Sequence, residues 1–389
     1  MANYILHIGY GKTGTTALQR FLAANRSQLM ERGIVYPDAK VNGSWLDTPD
    51  HNMVARALTG QLGWWNLTPE EYFRQFEKQR QDADADTVIL SGESFMGFLQ
   101  PWSFDSPEAY WKALADLATR IAELLKGHEV VVVAYLRRQD EWVDSAINQM
   151  IKFGALMDDD SALWSTETLL EKYAPRLDYA CCLDVWAKAF GDHALKIGVY
   201  EPKTFREGGI VTEFLALTGI NDDGLVHPPM NNEDSNIRLN RDVLELKRIL
   251  NLVRRPKYEE RVLVAGLRNI SQALGSVGQD WPLLSGQQKI DLMKQYQDAN
   301  AVVARRYLGR DDGVLFEQPA ALSNEDAYPG LSVETALEIL MRVDRYMATP
   351  AARAQLFRHW VAEKLRIHAP ILHSFARVAR KLTLGAVKQ

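Results

Sequence analysis

The run VVVVAYL at 130–136 constrains this chain more than any other stretch. It is continuous, largely β-branched and uncharged, so it offers no polar alternation for a solvent-facing side. A strand of this kind is covered on both faces, which is the habit of parallel sheets flanked by helices. Three further short apolar runs read as strands, at 4–8, 88–90 (Val-Ile-Leu) and 195–200 (LKIGVY). Between them the spacing is helical: Leu18, Phe21, Leu22 and Leu29 after the first strand, then 111–126, Trp142, Ala146, Ile147 and Met150, 180–190 and 209–218. Strands alternating with helices predict an α/β layered domain with a mostly parallel sheet. Ligands of such sheets bind beyond the carboxyl ends of the strands, so chemistry is expected just after residues 8, 90 and 136.

The 389 residues allow one large domain with an appendage, or two domains. Net charge is −5, so no global field points to nucleic acid. Two adjacent cysteines, Cys181 and Cys182, make neither a disulfide framework nor a zinc-type spacing. No secretory leader and no run of 18 apolar residues is present, and the expectation is a cytoplasmic protein. From 235 to 310 the pattern is largely helical, 311–330 is loop-like, and 333–343 begins a helical extension that reaches 389. The expected division is a main domain over 1–320 and a helical C-terminal extension over 331–389.

Directly after the first strand stands HIGYGKTGTT, residues His7 to Thr16. A helix N-terminus offers unpaired N–H groups and partial positive charge, and glycine lets an anion approach the backbone. Phosphate or sulfate is the natural guest. The loop is not a Walker A sequence, because with Lys12 as its lysine the first glycine would fall on Leu6. Lysine precedes Gly14 and the Thr15–Thr16 pair instead.

A second basic element ends the VVVVAYL strand. In YLRRQDEWVDS, Arg137 follows the strand and Ser145 stands eight residues on, in the next helix. Arginine offers a planar fork to phosphate and serine adds one hydroxyl donor.

These two segments resemble the phosphosulfate-binding loop and the 3′-phosphate element of the sulfotransferases that use 3′-phosphoadenosine-5′-phosphosulfate (PAPS). The resemblance covers roughly residues 3–318, and WAKAFGDHALKIGVYEP, FLALTGI and DANAVVARRYLG look like further landmarks. It implies a P-loop-like three-layer domain with a central mostly parallel sheet. It implies nucleotide contacts from Gly11, Lys12, Thr13, Gly14, Thr15, Thr16, Arg137 and Ser145, with Lys12 acting on the developing charge and no metal required. The chain departs from the pattern at Arg138 and Gln139, where Asn and Pro are usual, at Glu141, where aspartate is common, and at Ala17, where tryptophan often meets adenine. These departures are closer to the bacterial and carbohydrate-modifying branches.

The acceptor hydroxyl must lose a proton, so a general base is expected. Glu93, just past the second apolar run in VILSGES, is ranked first; His51, in PDHNMVARAL, is the second candidate. The branch favours a glycan or glycolipid acceptor, and the aromatics of GQLGWWNLTPEEYF with Trp102 and Trp111 could stack on sugar or serve as core. From Pro350 the tail carries eight Lys/Arg against one acid, Glu363, interleaved with apolar residues. Residues 351–389 therefore read either as a peripheral contact at the inner face of a membrane or as helices packed on the domain or on a second subunit of a homo-oligomer. Two other functions stay open: a P-loop nucleotide or sugar kinase, and a non-catalytic nucleotide- or carbohydrate-binding protein.

Overall fold

The computed structural model describes residues 2–39, 49–60, 67–97, 99–154, 165–202, 204–228, 238–253, 255–274, 281–317 and 328–361. The expected aromatic stretch at 61–66 and the tail at 362–389 lie outside the described residues. The chain divides into two compact units of interleaved segments: Met1–Val143, Glu167–Ser235 and Leu284–Glu325 in the first, and Asp144–Thr166, Asn236–Leu283 and Asp326–Gln389 in the second. This differs from a boundary near 320: the helix Gln139–Phe153 and the helical stretch at 236–283 contribute to the second unit.

The first unit is built on five parallel strands: β1 (Asn3–His7), β2 (Ile34–Val35), β3 (Thr87–Ser91), β4 (Glu129–Leu136) and β5 (Leu195–Val199). Their order is β2-β3-β1-β4-β5. The fold is α/β, and every pair in the sheet is parallel. Alternate side chains of the central strands supply two separate cores. Tyr4, Leu6, Val88, Leu90, Val132, Ala134 and Leu136 pack under one set of helices, including Pro107–Leu124 and Tyr179–Phe190. Ile5, Ile89, Val133 and Tyr135 pack on the other face with Thr15–Ala24 and Ile210–Thr218. Both faces are covered, as the unbroken apolar run requires.

Register positions the loops. His7, the last residue of β1, pairs with Ser91 on one side and Val133 on the other. β4 runs three residues past Val133 before it ends at Leu136. At about 3.3 Å per residue that overshoot is roughly 10 Å, so Arg137 begins level with the crest of the loop that follows β1 rather than with its base.

The second unit, described by itself, is helical. Its elements include the C-terminal part of Gln139–Phe153, Arg241–Leu250, Lys257–Leu274 and Val333–Met347. Asn148 donates to the Leu239 carbonyl and accepts from the Leu239 N–H, and Asn251 donates to the Ile151 carbonyl. Between Arg241–Leu250 and Lys257–Leu274 lies a fully buried ion pair, Lys247 Nζ to Glu260 Oε1 at 2.7 Å. Burial pushes the Lys247 ammonium below its ordinary pKa, while Glu260 opposes that shift. Of the basic tail, 350–361 is helical, with the Phe357 and Trp360 rings stacked and exposed. Among the described residues no helix is long and apolar enough to cross a membrane.

Removing one member of a buried pair strands the other charge. Lys247→Met alone should cost about 3–5 kcal/mol in a urea titration, and Lys247→Met with Glu260→Leu should recover most of it. Equal losses in the single and double variants would show that the pair is not coupled.

Candidate functional site

The loop after β1 folds tightly because four of its residues take left-handed backbone angles: Gly9 (φ 54°), Gly11 (60°), Lys12 (59°) and Gly14 (76°). Gly9 has a second constraint. A Cβ there would lie 2.9 Å from Glu93 Cα and 3.3 Å from Thr15 Cγ2, so the loop and the segment after β3 touch backbone to backbone. Gly14 is the N-cap of Thr15–Ala24 and has no side chain to satisfy the first N–H groups of that helix. The Thr13 hydroxyl is buried without a protein partner, and Thr16 is exposed at the first turn. A curled backbone, open helical N–H groups and an orphaned hydroxyl suit an oxyanion.

Two charged residues from neighbouring strands close on this loop. Arg137 Nη1 donates to the Lys12 carbonyl at 3.1 Å. Arg137 Nε reaches Glu141 Oε2 at 3.1 Å, the guanidinium lies 5.5 Å from the centre of the Tyr200 ring, and the Tyr179 hydroxyl donates to the Arg137 carbonyl at 2.6 Å. From the other side, Glu93 Oε2 accepts from the Thr15 hydroxyl at 2.9 Å. Burial lowers the Lys12 pKa to about 8, with Glu93 opposing and Arg137 adding to the fall. Lys12, Glu93 and Arg137 therefore share one electrostatic neighbourhood. Of the remaining expected contacts, Ser145 is half-buried further along Gln139–Phe153 and belongs to the second unit.

His51 is placed differently from the expectation of a second base. It is buried, its ring between Tyr36 and Phe76. Nδ1 accepts from the Ser91 N–H at 3.0 Å and Nε2 lies 3.1 Å from the Pro37 carbonyl, a pattern that assigns the neutral Nε2–H tautomer. Both ring nitrogens are spent on backbone, so His51 holds the chain around 50–52 against the end of β3 and has no nitrogen left for a substrate proton.

Sequence reasoning missed several groups. His7 is buried at the end of β1, with Nδ1 2.8 Å from the Ser91 hydroxyl. Asp50 is half-buried, and burial followed by the nearby Glu93 charge raises its carboxyl pKa, against the pull of the Asn52 N–H. A Pro-Asp-His-Asn turn before a helix was the available signal for Asp50. Tyr10 anchors the loop: its carbonyl accepts from Trp142 Nε1 at 2.9 Å and its hydroxyl donates to the Arg176 carbonyl at 3.1 Å. The buried Arg176 guanidinium donates in turn to the carbonyls of Gly97 and Leu99. One chain of contacts thus ties the loop after β1 to the segment that carries Glu93.

No protein-family model matches the chain, and no solved structure matches it. Over 235 residues it is 27% identical to an uncharacterized protein of Archaeoglobus fulgidus; the match spans 58% of this chain and 61% of that protein. The shared stretch thus covers less than two thirds of the relative's length.

Burial lowers both His7 and His51 to a pKa of about 4. An unfolded histidine titrates near 6.5, so below that pH the unfolded chain binds more protons than the folded one. Stability should be full above about pH 6.5 and fall as pH drops toward 4, by as much as roughly 3 kcal/mol per histidine. His51→Asn should remove one of these protons and flatten the slope of unfolding free energy against pH over that window. An unchanged slope would assign the titration elsewhere.

Proposed function

We propose that this protein is a sulfotransferase that moves a sulfuryl group from PAPS to a hydroxyl of a glycan or glycolipid. The observation that carries the reading is the meeting of Arg137 with the Lys12 carbonyl, beside a glycine loop that opens a helix. The strand order and the position of this loop after β1 support a P-loop-like domain. The unpartnered Thr13 hydroxyl, the exposed Thr16 and the uncapped N–H groups of Gly14 to Thr16 fit a 5′-phosphosulfate. The N–H groups of Arg137 beyond those on Lys12 and Glu141 fit the 3′-phosphate.

The nucleotide supplies an activated sulfuryl group on a phosphosulfate anhydride. The chain supplies orientation and charge. Lys12 holds an ammonium at the crest of the loop, where negative charge grows as the bridging oxygen leaves. Thr15 fixes one oxygen of the Glu93 carboxylate, and Oε1 is assigned to the acceptor proton. The Glu93 charge also opposes the fall of the Lys12 pKa.

Labelled PAPS and a panel of glycans test the reading. Lys12→Ala should reduce transfer at least ~100-fold. Glu93→Gln should abolish turnover and leave the affinity for 3′-phosphoadenosine 5′-phosphate within a few-fold. Magnesium-dependent transfer from ATP, with none from PAPS, would replace the proposal with a kinase; nucleotide binding with no transfer to any acceptor would replace it with a binding protein.

The Lys12 pKa adds a sign. In the free protein the ammonium is present below about pH 8 and is lost above it. Nucleotide affinity should therefore decline as pH rises through 8, with proton uptake on binding detectable by calorimetry in buffers of different ionisation enthalpy. Affinity independent of pH between 7 and 9.5 would remove Lys12 from the contact.

A further inference from the structure

Most of the large apolar side chains that the described residues expose belong to the second unit, and four of them share one helix. On Val333–Met347 the exposed residues are Val333 (75%), Leu337 (54%), Leu340 (37%) and Met341 (55%). At 100° per residue Val333, Leu337, Leu340, Met341 and Asp344 form one stripe. The packed side of the same helix carries the buried Ile339, about 200° around from Leu337, and Tyr346, whose ring fills the space where Gly266 would carry a Cβ. The helix therefore has two apolar faces, and among the described residues one of them is packed within the unit.

We propose that a second copy of this chain packs antiparallel on that open face, about a two-fold axis near Glu338–Ile339. The spacing Val333, Leu337, Leu340, Asp344 alternates four and three residues, the seam of a coiled coil. Charge complementarity selects the partner and its direction. The flank beside the stripe carries Glu334 and Glu338 in its first half and Arg345 in its last turn. Under an antiparallel two-fold the same flank meets itself reversed, so Glu334 faces the second copy's Arg345, and the pair occurs twice. Asp344, which ends the stripe, comes to the second copy's helix N-terminus at Ser332, where the dipole favours an anion. A parallel pairing would instead set this flank against the opposite one, where Ala336 and Val343 offer Glu334 and Arg345 no charge to meet. An anionic bilayer is a poor occupant, since Glu334, Glu338 and Asp344 would all face its surface.

Sedimentation equilibrium of the full-length protein tests this, with circular dichroism as a check on folding. The wild type should be a dimer at tens of micromolar, and Leu337→Glu a monomer with an unchanged spectrum. Glu334→Arg should weaken the dimer roughly tenfold, and Glu334→Arg with Arg345→Glu should restore it to within a few-fold. A monomeric wild type, a dimer indifferent to Leu337→Glu, or no rescue by the charge swap would overturn the proposal. Leu337→Glu releasing a monomeric wild type from phosphatidylserine vesicles would overturn it in favour of a lipid contact.

Discussion

The hydrogen bond from Arg137 to the Lys12 carbonyl joins two strand ends that would otherwise present separate charges. It uses a guanidinium to hold backbone, and in doing so brings a second cation beside the Lys12 ammonium. Burial first, and then the repulsion between the two cations, lower the Lys12 pKa to about 8. The Glu93 carboxylate opposes that fall. In the proposed reading, an arriving dianion would relieve that repulsion.

That contact exists because of the sheet register. β4 overshoots β1, which lifts Arg137 to the loop. β3 ends opposite His7, so Glu93 follows two residues later at the level of Gly9 and Thr15. Beneath them Ser91 ties two buried histidines: its hydroxyl meets His7, and its N–H meets His51. The floor of the site is thus neutral and packed, while the charge sits one layer above it.

Much of this was legible. VVVVAYL, YIL and VIL are unbroken apolar runs, and a run that cannot alternate must be buried on both faces; the chemistry-bearing residues then fall after three strands that lie side by side. β2 was not legible, because two residues, Ile34 and Val35, make no period. His51 was misjudged for a physical reason. A histidine before a helix reads alike whether its ring faces solvent or lies between Tyr36 and Phe76, and the partners that consume its nitrogens are backbone atoms of Ser91 and Pro37, which leave no mark in composition. The interleaving of the two units was also hidden. Gln139–Phe153 has one continuous helical period, and nothing in that period marks the change of core at Asp144.

Lys12 itself separates a site from a turn. Its backbone is left-handed at φ 59°, which costs a side-chain-bearing residue roughly 1–2 kcal/mol that glycine would avoid. Its side chain is half-buried, against the preference for charge in water. A loop needed only to turn the chain from β1 into the next helix would be more stable with glycine at this position on both counts, and its neighbours Gly11 and Gly14 already show that the backbone accepts one. In the proposed reading, what an ammonium does there and glycine cannot is to meet negative charge at the end of the sheet.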